Sequence, residues 1–277
     1  EKFEPDNVLV CWDSGIPKIR TDIYKEYKQN RRKEPEPIAA ETTSDPIKAK
    51  IQVREVVSSQ KSSVSDVIKK LGVSQIREAG VEADDLLAMA CDCLEGHKVI
   101  ITSDTDMLQL VDKSVDVFSP MKDIHYTFEN FKRLTGLSPR QYLEVKVLCG
   151  DKSDGIPGIK AGFGEKTAQE LISRHGSISE LFKPGMRKKL EKKNSRYALL
   201  YEEGAEELIN RNIQLMDLRL MNSVKAKDKI CKLIEFQKPV DFMEVRQYFQ
   251  ENQFQSLLEN YIDWIRPFKF LGNRSAI

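Results

Sequence analysis

The chain has 277 residues, 40% hydrophobic and 31% charged, with a formal net charge of +1. That length accommodates one large domain or a domain with an appendage, and the composition is that of an ordinary globular protein. No apolar run approaches the roughly 20 residues that span a bilayer. The near-neutral total does not by itself mark a nucleic-acid binder, and five cysteines, odd in number and without zinc-site spacing, suit a reducing compartment.

Residues 8–13, VLVCWD, predict a buried strand ending at Asp13. A basic stretch follows, in which Lys18, Arg20, Lys25, Lys28, Arg31, Arg32 and Lys33 are opposed only by Asp22 and Glu26. The proline-bearing 34–46 predicts a loop. Residues 47–71 predict a helix with a serine-rich interruption at 58–65, stopped at Gly72. VSQIREA predicts a short strand, ADDLLAMACDCLEG a helix opened by Glu82 and closed by Gly96, KVIIT a strand, TDMLQLV a short helix and VDVFSP a strand. This alternation predicts a mostly parallel sheet with helices on both faces. Residues 128–190 turn helical: Ser138 and Pro139 start SPRQYLEVKVLCG, and EKTAQELISRH resumes after a loop with Gly155, Gly158, Gly162 and Gly164. A second basic run, Lys183 to Arg196, holds seven basic residues and one Glu. The tail from 205 predicts mixed helix and short strand, with aromatics that are most simply core.

Eight carboxylates fall in four clusters: Asp13; Glu82, Asp84 and Asp85; Asp104 and Asp106; Asp151 and Asp154. Side chains at the carboxyl ends of parallel strands sit where open α/β sheets bind ligands. So many like charges in one pocket would raise each other's pKa unless a cation compensated them. Hard divalent ions with oxygen ligands do so, and Mg²⁺ is usual where phosphates are processed. Taken singly, the Glu82 cluster fits favourable charge in a helix's first turn; the joint pattern points to a metal-dependent phosphodiesterase. The three histidines lie outside the clusters, which argues against Ser-His-Asp or Cys-His hydrolysis. DKSDG departs from the calcium-loop pattern, with oxygen ligands at positions 1, 3 and 4 and no Glu at position 12.

VCWDSG, YKEYKQNRRK, GVEADDLLA, ITSDTDMLQLV and GDKSDGIPGIKAGFGEKTAQELI, in this order, resemble the bacterial and phage 5′-nuclease family of flap endonucleases and polymerase 5′–3′ exonuclease domains. The resemblance covers roughly residues 5–190. It implies an α/β, PIN-like core over 1–127 with a helical arch at about 18–70. A helix–three-turn–helix that grips duplex DNA would occupy 128–204, and 205–277 would pack on the core. It implies two Mg²⁺ or Mn²⁺ ions. Asp13, Glu82 and Asp84 would serve the first, and Asp104, Asp106 and Asp154 the second, with Asp84 near both. Asp85 and Asp151 would be reached through water. Lys28 and Arg31 would face the scissile phosphate, with Tyr27 close by. In the glycine loop, Gly158, Lys160, Gly162, Gly164, Lys166 and Thr167 would meet DNA, with K⁺ as a candidate bridging ion.

The activity implied is structure-specific 5′–3′ exonuclease and flap endonuclease cleavage in replication or repair, by a monomer in the cytoplasm of a bacterium or phage-infected host. The substrate would be DNA with a 5′ single-strand flap or end, with an RNA–DNA hybrid as a further candidate and no membrane involved. The alternatives are a non-hydrolysing DNA-junction-binding protein of the same fold, and a related ribonuclease. Family members carry a further Asp on a first strand that has no counterpart before Asp13. We expect residues upstream of Glu1 to supply it.

Overall fold

Apolar, β-branched LVC forms β1 (Leu9–Cys11), and α1 (Lys18–Ile23), α2 (Pro46–Lys70) and β2 (Ser74–Ile76) follow. The structure is a computed structural model that describes residues 3, 5–29, 46–160, 163–191, 196–235 and 240–269. The chain divides into two compact units, one of Glu1–Trp12, Glu34–Arg77 and Asp228–Ile277, the other of Asp13–Lys33 and Glu78–Lys227.

In the first unit β1 and β2 pair in parallel, Leu9 opposite Ser74 and Cys11 opposite Ile76. Helix α2 runs without a break through its serines, which corrects the expected interruption. A helical serine can bond back to a carbonyl of the preceding turn, as Ser59 Oγ does to Val56 O at 2.7 Å, so the hydroxyl is satisfied without ending the helix. The core of this unit collects Leu71, Val245, Phe249, Tyr261 and Ile265, where the ring centroids of Phe249 and Trp264 lie 5.0 Å apart, edge to face. Aromatic pairs prefer that arrangement.

The second unit continues with α3 (Ala83–Cys93), β3 (Lys98–Ile101), a 3-10 helix (Thr105–Leu110), β4 (Val115–Ser119) and β5 (Ile124–Tyr126). Strands β3 and β4 are parallel, and β4 and β5 form an antiparallel hairpin. The hairpin escapes sequence reading because its turn has no glycine; Asp123 takes the left-handed conformation itself, at φ 49°. The fold class is α/β with parallel pairing as expected. Among the described residues the strands, two to five residues long, pair as β1 with β2, as β3, β4 and β5, and as a hairpin of Gly150–Asp151 with Ile156–Pro157.

Next come α4 (Phe128–Thr135), α5 (Pro139–Cys149), the two-residue strands β6 (Gly150–Asp151) and β7 (Ile156–Pro157), and α6 (Glu165–His175). Ser138 starts α5 with a reciprocal capping box to Gln141 and Pro139 in the first turn, as the sequence predicts. Helices α5 and α6 pack through Leu143, Val147, Leu148, Ala168, Leu171 and Ile172. The segment after α6 carries α7 (Ile178–Leu181), α8 (Pro184–Leu190), α9 (Ala205–Met216), α10 (Val224–Glu235), α11 (Phe242–Glu251), α12 (Gln255–Glu259) and α13 (Tyr261–Ile265). The described tail is helical throughout, without the expected strands. Among the described residues no helix is long and apolar enough to cross a membrane.

Candidate active site

The second unit alone builds the site. Glu82 is the N-cap of α3, and Asp84 and Asp85 fall in its first turn, where the helix dipole favours negative charge. Asp13 comes from the segment after β1, and its Oδ1 accepts the Ala83 N–H at 2.9 Å, so it caps the same helix start from outside. Asp104 follows β3 and N-caps the 3-10 helix by accepting the Asp106 N–H at 2.8 Å. Asp151 ends β6, and its Oδ1 accepts both the N–H and the hydroxyl of Ser153 at 2.7 Å. Four separate sequence clusters therefore converge because each acid sits at an element's end.

Together they line one cavity of 410 Å³ whose wall carries Asp13, Glu82, Asp84, Asp104, Asp106, Asp151 and Asp154 with Lys28 and Lys146. Seven carboxylates face two ammonium groups, so negative charge is in excess. Burial first, then the neighbouring Asp104 charge, push the Asp84 carboxyl up to about 7, against the pull of Lys28. At Asp151 burial pushes upward, but bonds from Ser153 and the Lys146 charge outweigh it and leave that carboxyl below its ordinary range.

Lys28 is 7% exposed although it is a lysine. Its Nζ lies 2.5 Å from Glu82 Oε1 and 3.4 Å from Asp154 Oδ2. Its backbone is left-handed, φ 51°, an unusual conformation for a side chain of this size. Tyr27 is buried beneath it, its hydroxyl donating to Glu82 Oε2 at 2.9 Å and its ring centroid 5.1 Å from Lys28 Nζ. Burial, with the Glu82 charge adding to it, holds the Tyr27 phenol far above its ordinary pKa, so it stays protonated and can donate to Glu82.

Asp85 is 0% exposed, lies off the cavity wall, and gives both oxygens to Arg20 at 2.6 and 2.7 Å. Sequence reading passed over two residues here. Arg20 was one charge in a basic run, and only its burial separates it from its neighbours. Lys146, on α5, pairs with Asp106 and lies 3.9 Å from Asp151 Oδ2; its place four residues before Gly150 was the available signal. Arg31 lies outside the described residues.

The hairpin between α5 and α6 depends on glycine at two points. A Cβ on Gly150 would lie 2.3 Å from Gly158 N, and one on Gly158 would lie 2.1 Å from Cys149 O. Gly158 thus has a packing role of its own. Lys160 is exposed and paired with Glu202. Gly164 caps α6 in open space, Lys166 is exposed in the first turn, and Thr167 is half-buried with its N–H on Gly164 O at 3.0 Å. Gly162 lies outside the described residues.

The donor chemistry fits divalent cations: hard carboxylate oxygens, close together and short of positive charge. Among the described residues no three His, Cys, Asp or Glu side chains are drawn together tightly enough to hold an ion as they stand. Lys28 reaches Glu82 and Asp154, and Lys146 reaches Asp106 and Asp151. No histidine lines the cavity.

Comparison with known proteins accords with this arrangement. The family described as 5′-3′ exonuclease, N-terminal resolvase-like domain, matches residues 1–136, and that described as 5′-3′ exonuclease, C-terminal SAM fold, matches residues 137–238. A 5′-3′ exonuclease of Bacillus subtilis is 34% identical over 187 residues, 65% of this chain and 56% of that protein. One from Aquifex aeolicus is 28% identical over 262 residues, 94% of this chain and 79% of that protein. The thermostable DNA polymerase I of Thermus thermophilus is 32% identical over 202 residues, 69% of this chain and 21% of that protein. The chain thus spans about half of the Bacillus relative and about a fifth of the polymerase. In fold it is similar to the bacteriophage T5 D15 flap endonuclease solved with DNA and metal ions, with a TM-score of 0.65 and 22% identity over 83% of this chain and 85% of that one. The T5 5′-exonuclease is also solved with divalent zinc bound, at a TM-score of 0.63 and 23% identity over 83% of each chain. With two adjoining family profiles covering residues 1–238, this chain belongs to the 5′–3′ exonuclease family.

Proposed function

We propose that the chain is a structure-specific 5′ nuclease, a 5′–3′ exonuclease and flap endonuclease that hydrolyses DNA phosphodiesters in replication or repair. The supporting observation is the single cavity in which seven carboxylates meet two lysines. In this reading Asp13, Glu82, Asp84, Asp104, Asp106, Asp151 and Asp154 hold two Mg²⁺ or Mn²⁺ ions, which supply Lewis acidity and offset charge on the reacting phosphate. With metal held by these carboxylates, Lys28 and Arg31 would donate to phosphate oxygens as negative charge grows there. Tyr27 keeps Glu82 in place and supports the Lys28 stem.

The substrate proposed is DNA with a 5′ single-strand flap or end, with the RNA strand of a hybrid as a further candidate. Residues 1–127 would form the core and arch, 128–204 the duplex grip and 205–277 a packing segment, in a cytoplasmic monomer. Duplex binding is assigned to Gly158, Lys160, Gly162, Gly164, Lys166 and Thr167, with K⁺ at the loop before α6. The test is a 5′-labelled flap substrate incubated with Mg²⁺ and with EDTA. Cleavage near the junction that EDTA abolishes is the expected result. Tight junction binding without cleavage in either condition would replace the enzyme by a binding protein of the same fold.

A further inference from the structure

Arg20 is a guanidinium with 2% exposure, and four hydrogen bonds account for its place. Its Nη1 donates to Glu82 Oε2 at 2.6 Å and to Asp85 Oδ2 at 2.7 Å. Its Nη2 donates to Asp85 Oδ1 at 2.6 Å, and its Nε to the Leu215 carbonyl at the end of α9 at 3.0 Å. Asp85 is thereby fully used, while Glu82 is only half used: Oε2 is fixed by Arg20 and Tyr27, and Oε1 is turned to the cavity, where it meets Lys28. One planar fork thus reads two carboxylates of the same helical turn and a carbonyl from a distant helix, a geometry that an ammonium cannot reproduce.

We infer that Arg20 is a positioning residue that sets the Glu82 carboxylate for divalent-ion binding, with Asp85 as the counter-ion that fixes the arginine in turn. The inference rests on the proposed metal-dependent reading of the cavity. Arg20 touches no cavity space itself. It acts by fixing one oxygen of Glu82, so that the other is presented in one orientation. Groups that orient a ligand in this way commonly change metal affinity about 10- to 100-fold when removed.

The test uses the full chain without DNA and reads free Mn²⁺ by electron paramagnetic resonance during titration, with thermal unfolding recorded alongside. The double variant Arg20→Gln/Asp85→Asn removes the buried positive and negative charges together, so no uncompensated charge remains inside. Glu82 keeps its own charge and the Tyr27 bond but loses the guanidinium. The expected result is cooperative unfolding close to the parent's, with Mn²⁺ bound about 10- to 100-fold more weakly. Arg20→Lys carries the same test if the double variant fails to fold: its charge is retained, its fork is lost, and the same weakening is expected. A folded variant that binds Mn²⁺ as the parent does overturns the inference, because a purely structural arginine would move the melting temperature and leave affinity unchanged. A parent chain that binds no Mn²⁺ overturns the metal reading itself, and this inference with it.

Discussion

The backbone N–H of Lys28 donates to the main-chain carbonyl of Asp154 at 2.8 Å, and the Lys28 ammonium lies 3.4 Å from the carboxylate of that same residue. Lys28 is thus tied twice to the turn between β6 and β7. The left-handed backbone of Lys28 is held by this bond, so the side chain enters the cavity from a fixed root and only its flexible stem has to move.

Lys28→Ala should therefore slow the single-turnover cleavage rate far more than it weakens binding, by a factor on the order of 100 against a few-fold. Rapid-quench kinetics at saturating enzyme beside a binding titration separates the two. A loss confined to affinity would make Lys28 an ordinary phosphate contact.

Asp104→Ala should abolish flap cleavage and leave DNA binding intact or slightly stronger, since removing a negative charge cannot weaken attraction to phosphate. Fluorescence anisotropy on the flap substrate in Ca²⁺ checks this. Parallel loss of binding and cleavage would assign Asp104 to the fold.

Lys146→Met should tighten Mn²⁺ binding, because the ammonium that pairs with Asp106 and approaches Asp151 competes with any other cation there. A gain of about fivefold, ~1 kcal/mol, is the scale expected of one partly screened charge. Unchanged or weaker Mn²⁺ binding would show that Lys146 does not compete.

Gly158→Ala should cost roughly 2–3 kcal/mol, on the order of 5–10 °C in melting temperature, because its Cβ would lie 2.1 Å from the Cys149 carbonyl. Gly164→Ala, with nothing within 4 Å, should melt close to the parent. Equal melting of the two variants would contradict the close approach.

Lys166→Ala should weaken binding to duplex-bearing substrate and lower the salt slope by about one, with little effect on isolated single strands. Lys160→Ala should do less, since Lys160 already pairs with Glu202. Reversed selectivity between duplex and single strand would exclude the α6 start from duplex binding.

The acids were legible in the sequence because each cluster carries its own local signal: an apolar run before Asp13 and Asp104, a helix start at Glu82, a glycine turn beside Asp151. What was not legible depends on partners far along the chain. Arg20 meets Glu82 and Asp85 across 62 and 65 residues and Leu215 across 195, and no periodicity reports such a meeting. One residue's rotation along α3 sends Asp85 into the interior and leaves Asp84 on the cavity wall. The β4–β5 hairpin stayed hidden because Asp123 occupies a conformation that glycine usually signals.

Crowding seven acidic side chains against two lysines makes the folded state electrostatically unfavourable at that one spot. An unfolded chain spreads the same charges apart, so any species that neutralises them when folded becomes a ligand for the native state by mass action. At a hundred times its dissociation constant, such a cation would stabilise the fold by about 2.7 kcal/mol. Calorimetric melting across a Mg²⁺ series would then report cavity occupancy with no substrate present. In a cell, the turnover of this polypeptide by proteases would follow the supply of whatever cation fills the cavity.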